Sequence, residues 1–213
     1  MAKVDHLRED YRRGALERKD LLEDPIAQFN AWISAAIADK LSEPNAMTLA
    51  TVDAEGRPNA RIVLLKGFDE GGFVFYTNYD SQKGQELEAN PYATLVFNWL
   101  AHERQVRIRG AVQRISSEET AKYFHSRPKG SQIGAWASPQ SQVIRDRWPL
   151  ELRVESLKSK YADAEALPVP QHWGGYRVAA AEIEFWQGRS SRLHDRFRFV
   201  KKAGDWVVDR LAP

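Results

Sequence analysis

The sequence predicts a mainly β fold with peripheral helices, a small antiparallel barrel in a single main domain. Apolar residues alternate with period two through much of 47–115 and again through 181–210, the signature of half-buried strands. Tight turns join these runs: D-A-E-G-R-P at 53–58, D-E-G-G at 69–72 and K-A-G-D at 202–205. Connections that short fit antiparallel hairpins. Helical periodicity is confined to brief stretches between and outside the strands, which places helices at the edges of a barrel.

Residues 1–20 are dense in charge, with Arg8, Arg12, Arg13, Arg18 and Lys19 interspersed with carboxylates. From composition they read as a mobile solvated arm ahead of a domain over 21–213. Asp24 then offers an N-cap and Pro25 a first helical residue, followed by Ile26, Phe29, Ile33, Ala36 and Ile37 at helical spacing. That predicts an amphipathic helix ending near Leu41. Strands are expected at Met47–Val52, Arg61–Lys66 and Phe73–Thr77, then a short helix from Ser81 to Asn90-Pro91. Thr94–Trp99 and Gln105–Ile115 follow as strands. Ser116 and Glu119 form a capping box for a helix from Ser117 to about His125. The stretch 128–172 mixes short helices and loops, with Leu150–Tyr161 its best helix. Ala181–Trp186, His194–Lys201 and Trp206–Arg210 complete the expected strands. No repeat, low-complexity tract or linker divides the domain.

Composition narrows the function. The 213 residues carry 31 basic and 29 acidic side chains, without the basic excess of a nucleic-acid binder. There are no cysteines, so disulfides, thiolate nucleophiles and Cys-ligated metals are excluded. The N-terminus lacks the apolar core of a secretory signal, and no run is long enough to span a bilayer. A cytoplasmic protein is the expectation. The five histidines, His6, His102, His125, His172 and His194, form no local ligand pattern, and no metal is expected. G-x-G-x-x-G after a strand, a G-K-[ST] loop and H-E-x-x-H are all missing.

Three clusters could carry chemistry. In R-I-V-L-L-K, Arg61 and Lys66 bracket four apolar residues. In a regular strand they point to opposite faces, and by pattern alone two ordinary strand-end charges are the better explanation. In Y-F-H-S-R-P-K-G-S, Tyr123 and Arg127 are four apart on one helix face, Pro128 stops the helix and Ser131 follows the turn. A phenol, a guanidinium and a hydroxyl suit a phosphate dianion. A helix-ending arginine complementing the macrodipole is the alternative. In F-W-Q-G-R-S-S-R-L-H-D-R-F, Trp186 offers a flat surface, and Arg192, His194 and Arg196 alternate. An extended chain would aim all three the same way, toward something anionic or electron-rich, unless neighbouring carboxylates pair them.

Together with F-Y-T-N, S-Q-I-G-A-W and F-W-Q-G, these motifs resemble, in order and over nearly the whole chain, the pyridoxamine/pyridoxine 5′-phosphate oxidases of vitamin B6 metabolism. The resemblance implies an antiparallel FMN-binding split β-barrel, homodimeric, with FMN at the subunit interface. It implies oxidation of pyridoxamine and pyridoxine 5′-phosphates to pyridoxal 5′-phosphate, with O2 as acceptor. FMN would lie along Arg61, Ile62, Val63, Leu64, Leu65 and Lys66, with Arg61 near its phosphate, and would also touch Tyr76, Thr77, Gln82, Lys83, Gln105, Gln140, Ser141, Trp186 and Arg196. The family often has a second cation just before Lys83, where this chain has Gln82; one charged contact to the FMN phosphate is thereby lost. The substrate phosphate would sit among Lys66, Tyr123, Arg127 and Ser131. Arg192 and His194, the catalytic pair, would hold the pyridine ring, His194 either moving a proton or only positioning. Arg8 and Tyr11 would close over substrate as a lid. Other split-barrel FMN oxidoreductases would lack these substrate sets, and a non-catalytic carrier of flavin or B6 phosphate would not need Arg192 and His194.

Overall fold

The computed structural model describes residues 2–213. Nine strands form one antiparallel sheet: β1 (Ala46–Val52), β2 (Pro58–Leu64), β3 (Gly67–Asp69), β4 (Gly72–Asn78), β5 (Tyr92–Trp99), β6 (Arg104–Arg114), β7 (Trp173–Gln187), β8 (Asp195–Lys202) and β9 (Asp205–Leu211). Their order is β2-β1-β5-β6-β7-β4-β3, with β8 and β9 branching from β7. The sheet closes where the chain leaves β2 for β3, the other end of the order: the Lys66 N–H donates to the Val74 carbonyl at 2.8 Å, on the neighbouring β4. This is a split β-barrel: the alternating runs predict an antiparallel barrel, and the family resemblance implies its split form.

Each hairpin forms for a local reason, and the core follows from alternation. Leu95, Phe97, Val106, Ile108, Ile183, Phe185, Phe197 and Phe199 point inward and are buried. Helix α1 (Pro25–Ala38) is capped by Asp24, whose carboxylate accepts from the N–H groups of Ile26 and Ala27. Its Phe29 is fully buried, edge-on to Phe73 and Phe68 at 5.0 Å and to Phe97 at 4.9 Å. Burying such a ring contributes about 1.5–3 kcal/mol. A second apolar cluster, built on Phe124, Ile133, Leu167 and Trp173, seats α3 (Ser117–Ser126), α4 (Lys129–Ala137) and α5 (Trp148–Lys160) beside β4. Helix α2 (Gln82–Ala89) starts at Ser81, whose hydroxyl accepts from the Gly84 N–H.

Several expectations change. Strand β7 runs over 173–187 rather than 181–186. Its first half, W-G-G-Y-R-V-A-A-A, is small-residue rich and lacks a strand's composition. The small residues are needed there: a Cβ on Gly175 would lie 2.9 Å from the Tyr76 ring on the paired strand. Arg192 is not in an extended segment. Ser190–Arg192 is a single 3-10 turn, Ser191 and Arg192 have φ of 55° and 61°, and β8 begins only at Asp195. Alternation therefore cannot place Arg192, His194 and Arg196 on one strand face. Arg127 is likewise the residue after α3, extended ahead of Pro128, because proline disfavours helical backbone before it.

Residues 2–10 are exposed. The following stretch lies on the barrel: Leu16 is only 3% exposed and joins the main core with Leu21. Among the described residues no helix is long and apolar enough to cross a membrane.

Candidate active site

Closure of the barrel leaves a cavity of about 710 Å³ between β2, β4, α2, α3 and α4. Arg61, Ile62, Val63, Leu64 and Lys66 line one wall; Tyr76, Thr77 and Lys83 line another; Tyr123, Arg127, Ser131 and Gln140 close it. Arg61 and Lys66 thus share one site, against the expectation of opposite faces. Strand β2 ends at Leu64, and the chain turns before Lys66 into β3, so strand parity does not extend across the pair. Leu65 points instead into the core. Gln82 and Ser141 are exposed and do not line the cavity.

Four cations line this cavity and no carboxylate does. Behind Arg61 stands Glu86, its side chain 4% exposed. Its carboxylate accepts from Arg61 Nη2 at 2.8 Å, from Asn59 Nδ2 at 2.8 Å and from the Thr51 hydroxyl at 2.5 Å. Burial would raise the Glu86 pKa, but these three donors hold it below the usual value. Lys83 is pushed down by burial and by the neighbouring Arg61. It donates to Gln140 Oε1 at 3.0 Å, which also accepts from the Thr77 hydroxyl at 3.2 Å. Arg127 lies 4.7 Å over the Trp173 ring, and its buried Nη1 has no protein partner. Burial lowers its pKa, although a guanidinium stays charged regardless. Tyr76 and Tyr123 stack at 3.9 Å, and burial first of all pushes the Tyr76 phenol up to about 12. A buried cationic donor without an acceptor, among four lining cations backed by the single carboxylate of Glu86, fits an anionic ligand.

The remaining expected residues gather elsewhere, on β6, β7 and β8. Strand register pairs Gln105 with Trp186 and Trp186 with Arg196, one cross-strand row on the outward face. His194 lies 4.5 Å from Trp186, and Tyr11 packs 5.7 Å from both. The His194 Nδ1 accepts the Arg189 N–H at 3.1 Å, so a neutral ring carries its proton on Nε2. Burial, then Arg192 and Arg196, keep its pKa below the ordinary value. Here four arginines are paired with carboxylates: Glu184 accepts from Arg196 Nε at 2.8 Å and from Arg107 at 2.5 Å. Asp195 accepts from Arg189 at 3.0 Å and Arg210 at 2.6 Å. Arg8 is exposed.

Glu86, Glu184 and Asp195 are the residues that motif reading missed. Asp195 had a signal, since it shares inward parity with the buried Phe197 and Phe199, and an inward acid demands partners. Glu86 stands at i+3 from Lys83 on α2, a spacing compatible with a shared site.

A cationic cavity at the seam of a split barrel, walled by stacked aromatics, defines a class of binder for phosphorylated aromatic molecules. The chain belongs to the pyridoxamine 5′-phosphate oxidase family. Residues 33–161 match the family model described as pyridoxamine 5′-phosphate oxidase, and residues 173–213 match the pyridoxine 5′-phosphate oxidase C-terminal dimerisation region. A Salinibacter ruber protein named pyridoxine/pyridoxamine 5′-phosphate oxidase is 54% identical over 215 residues, covering 100% of both chains. One of the same name from Acaryochloris marina is 55% identical over 210 residues, covering 99% of this chain and 95% of its own. Among solved structures, PhzG from Burkholderia lata 383, in complex with tetrahydrophenazine-1-carboxylic acid, superposes with TM-score 0.86 at 31% identity, covering 92% and 95% of the two chains. An FMN-binding protein of Nostoc punctiforme, related to pyridoxamine 5′-phosphate oxidase, gives TM-score 0.72 at 18% identity over 91% of this chain and 100% of its own, and speaks to the fold alone.

Proposed function

We propose that the protein is an FMN-dependent oxidase converting pyridoxamine and pyridoxine 5′-phosphates to pyridoxal 5′-phosphate. The observation that carries this is the cavity with four cations, no lining carboxylate and the orphaned Arg127 donor. Two phosphorylated aromatic molecules, cofactor and substrate, would satisfy it. Full-length identity above one half to relatives bearing that name supports the choice of reaction.

Arg61 and Lys83 would hold the FMN phosphate, with Ile62–Leu64, Tyr76, Thr77 and Gln140 along the cofactor. Lys66, Tyr123, Arg127 and Ser131 would hold the substrate phosphate. When bound, FMN would supply the redox chemistry as hydride acceptor for the substrate 4′ carbon, with O2 as final acceptor giving H2O2 and water hydrolysing the oxidised amine to aldehyde and ammonia. The chain's own residues bind and orient. With Nδ1 already accepting a hydrogen bond and the ring neutral, His194 can donate from Nε2 but is poorly set to take a proton. It is a positioning group together with Arg192. Proximity then supplies most of the catalysis.

The Gln105–Trp186–Arg196 row and the Arg192–His194 turn do not line the same chain's cavity. All but Gln105 fall within the segment matching the dimerisation region. We infer a homodimer in which this set completes the partner's cavity, so that FMN lies between subunits. The charged arm, through Arg8 and Tyr11, would cover the substrate there. The setting is cytoplasmic, where phosphorylated B6 vitamers and FMN are available.

Purified protein should carry a flavin visible spectrum, or gain one with added FMN, and release peroxide when given pyridoxamine 5′-phosphate. A protein that binds FMN but whose flavin is never reduced by that substrate is not this oxidase.

A further inference from the structure

Asp195 sits between two residues of the reaction's expected machinery, His194 and Arg196, yet points the other way, into the barrel. Its side chain is 8% exposed. A buried carboxylate needs compensation, and three separate segments provide it. The Leu16 N–H donates to Oδ2 at 3.1 Å, Arg189 Nη1 to the same oxygen at 3.0 Å, and Arg210 Nη2 to Oδ1 at 2.6 Å. One carboxylate thus ties the N-terminal arm, the turn before β8, and β9.

That turn needs tying. Ser191 and Arg192 are consecutive non-glycine residues in the left-handed region, a conformation that persists only when its surroundings over-determine it. The same turn is held by the Arg189 N–H to His194 Nδ1 bond and by the Ser191 N–H donating to Asp10 at 3.3 Å. Asp10 belongs to the arm. Tyr11, next along it, packs against Trp186 and His194. Gly188 makes room, since a Cβ there would lie 2.7 Å from Tyr11 Cγ. Arm and turn therefore share two direct contacts and one common anchor.

We propose that Asp195 is a positioning residue that makes docking of the arm and presentation of Arg192 and His194 a single event. It touches neither substrate nor flavin. It acts by holding Leu16 on one side and Arg189 on the other, so that the arm cannot leave without loosening the turn. The inference rests on the oxidase reading for its kinetic consequence, but the mechanical coupling stands apart from it.

The test uses the FMN-loaded protein and Asp195→Asn, which keeps shape and removes charge. All three bonds to the carboxylate lose its charge, so kcat/KM for pyridoxamine 5′-phosphate should fall about ten- to a hundredfold, while FMN affinity stays within about twofold because no cavity-lining residue changes. Tryptic cleavage within the arm, at Arg12, Arg13 and Arg18, should accelerate in parallel. Gly188→Ala, which displaces Tyr11 and leaves the carboxylate intact, should give both effects. If Asp195→Asn fails to fold, Arg189→Gln at the half-exposed partner on the turn carries the test, with about a three- to tenfold loss of kcat/KM. Wild-type kinetics and wild-type cleavage in Arg189→Gln would overturn the proposal. So would an Asp195→Asn protein whose FMN affinity falls as far as its kcat/KM. If the wild type turns over no pyridoxamine 5′-phosphate, the oxidase reading fails, and the cleavage rates still decide the coupling.

Discussion

The cavity and the Trp186–His194 surface treat positive charge in opposite ways. The cavity concentrates Arg61, Lys66, Lys83 and Arg127 with only Glu86 behind them. Around the β6–β8 surface four arginines have carboxylates: Arg107 and Arg196 share Glu184, and Arg189 and Arg210 share Asp195. An uncompensated cluster gains by receiving an anion, whereas a compensated one gains nothing from further charge and keeps its shape. The lesson is a division of labour. On the proposed reading, phosphate recognition would belong to the cavity, and orientation of the ring to the β6–β8 surface.

The largest expected effect is on the single counter-charge of the cavity. Glu86→Gln leaves the Arg61 guanidinium, 19% exposed, without its carboxylate, and should cost about 3–5 kcal/mol in denaturant unfolding. Glu184→Gln should cost less, because its arginines are 26% and 36% exposed and can recruit water. Equal losses would erase the contrast between the two regions. The Glu86 pKa is depressed on folding, so its contribution is full above the unfolded carboxyl pKa and is lost as pH falls through the folded value. Acid unfolding of Glu86→Gln should accordingly be shallower than that of the wild type.

Next in size is Arg127→Ala. It should raise KM for pyridoxamine 5′-phosphate about ten- to a hundredfold and leave FMN affinity nearly unchanged. Loss of FMN instead would mean that the two phosphate subsites are exchanged. The smallest effect concerns His194. Its pKa is lowered, so kcat/KM should be flat through neutral pH and fall only in acid, as protonation of Nδ1 ejects the Arg189 N–H. His194→Gln should lower the plateau modestly and remove that contribution to the acid limb. A profile rising from neutral to alkaline pH with a His194-dependent pKa would make it a base.

Much of this was legible in the sequence because hairpin turns, caps and alternation are local. D-P at 24–25 and S-x-x-E at 116–119 place two helices, and the phosphate-suited Tyr123, Arg127 and Ser131 do line one cavity. What escaped was non-local. Lys66 joins Arg61 because the chain leaves the strand between them, and Arg192 leaves its neighbours' face because two left-handed residues interrupt extension. Charge compensation was equally hidden: Glu86 reaches Arg61 across 25 residues of chain, and Asp195 reaches Leu16 across 179.

The central claim, one site made from two unlike regions of two copies, is tested by mixing. Arg127→Ala and Arg192→Ala proteins, each poorly active at low pyridoxamine 5′-phosphate, are unfolded and refolded together. Random pairing makes half of the dimers mixed, and each mixed dimer carries one site free of both changes. About a quarter of wild-type peroxide production should therefore return if the partner's turn completes the cavity. Activity no greater than the average of the two separate proteins, in a preparation with verified mixed dimers, would contradict the account.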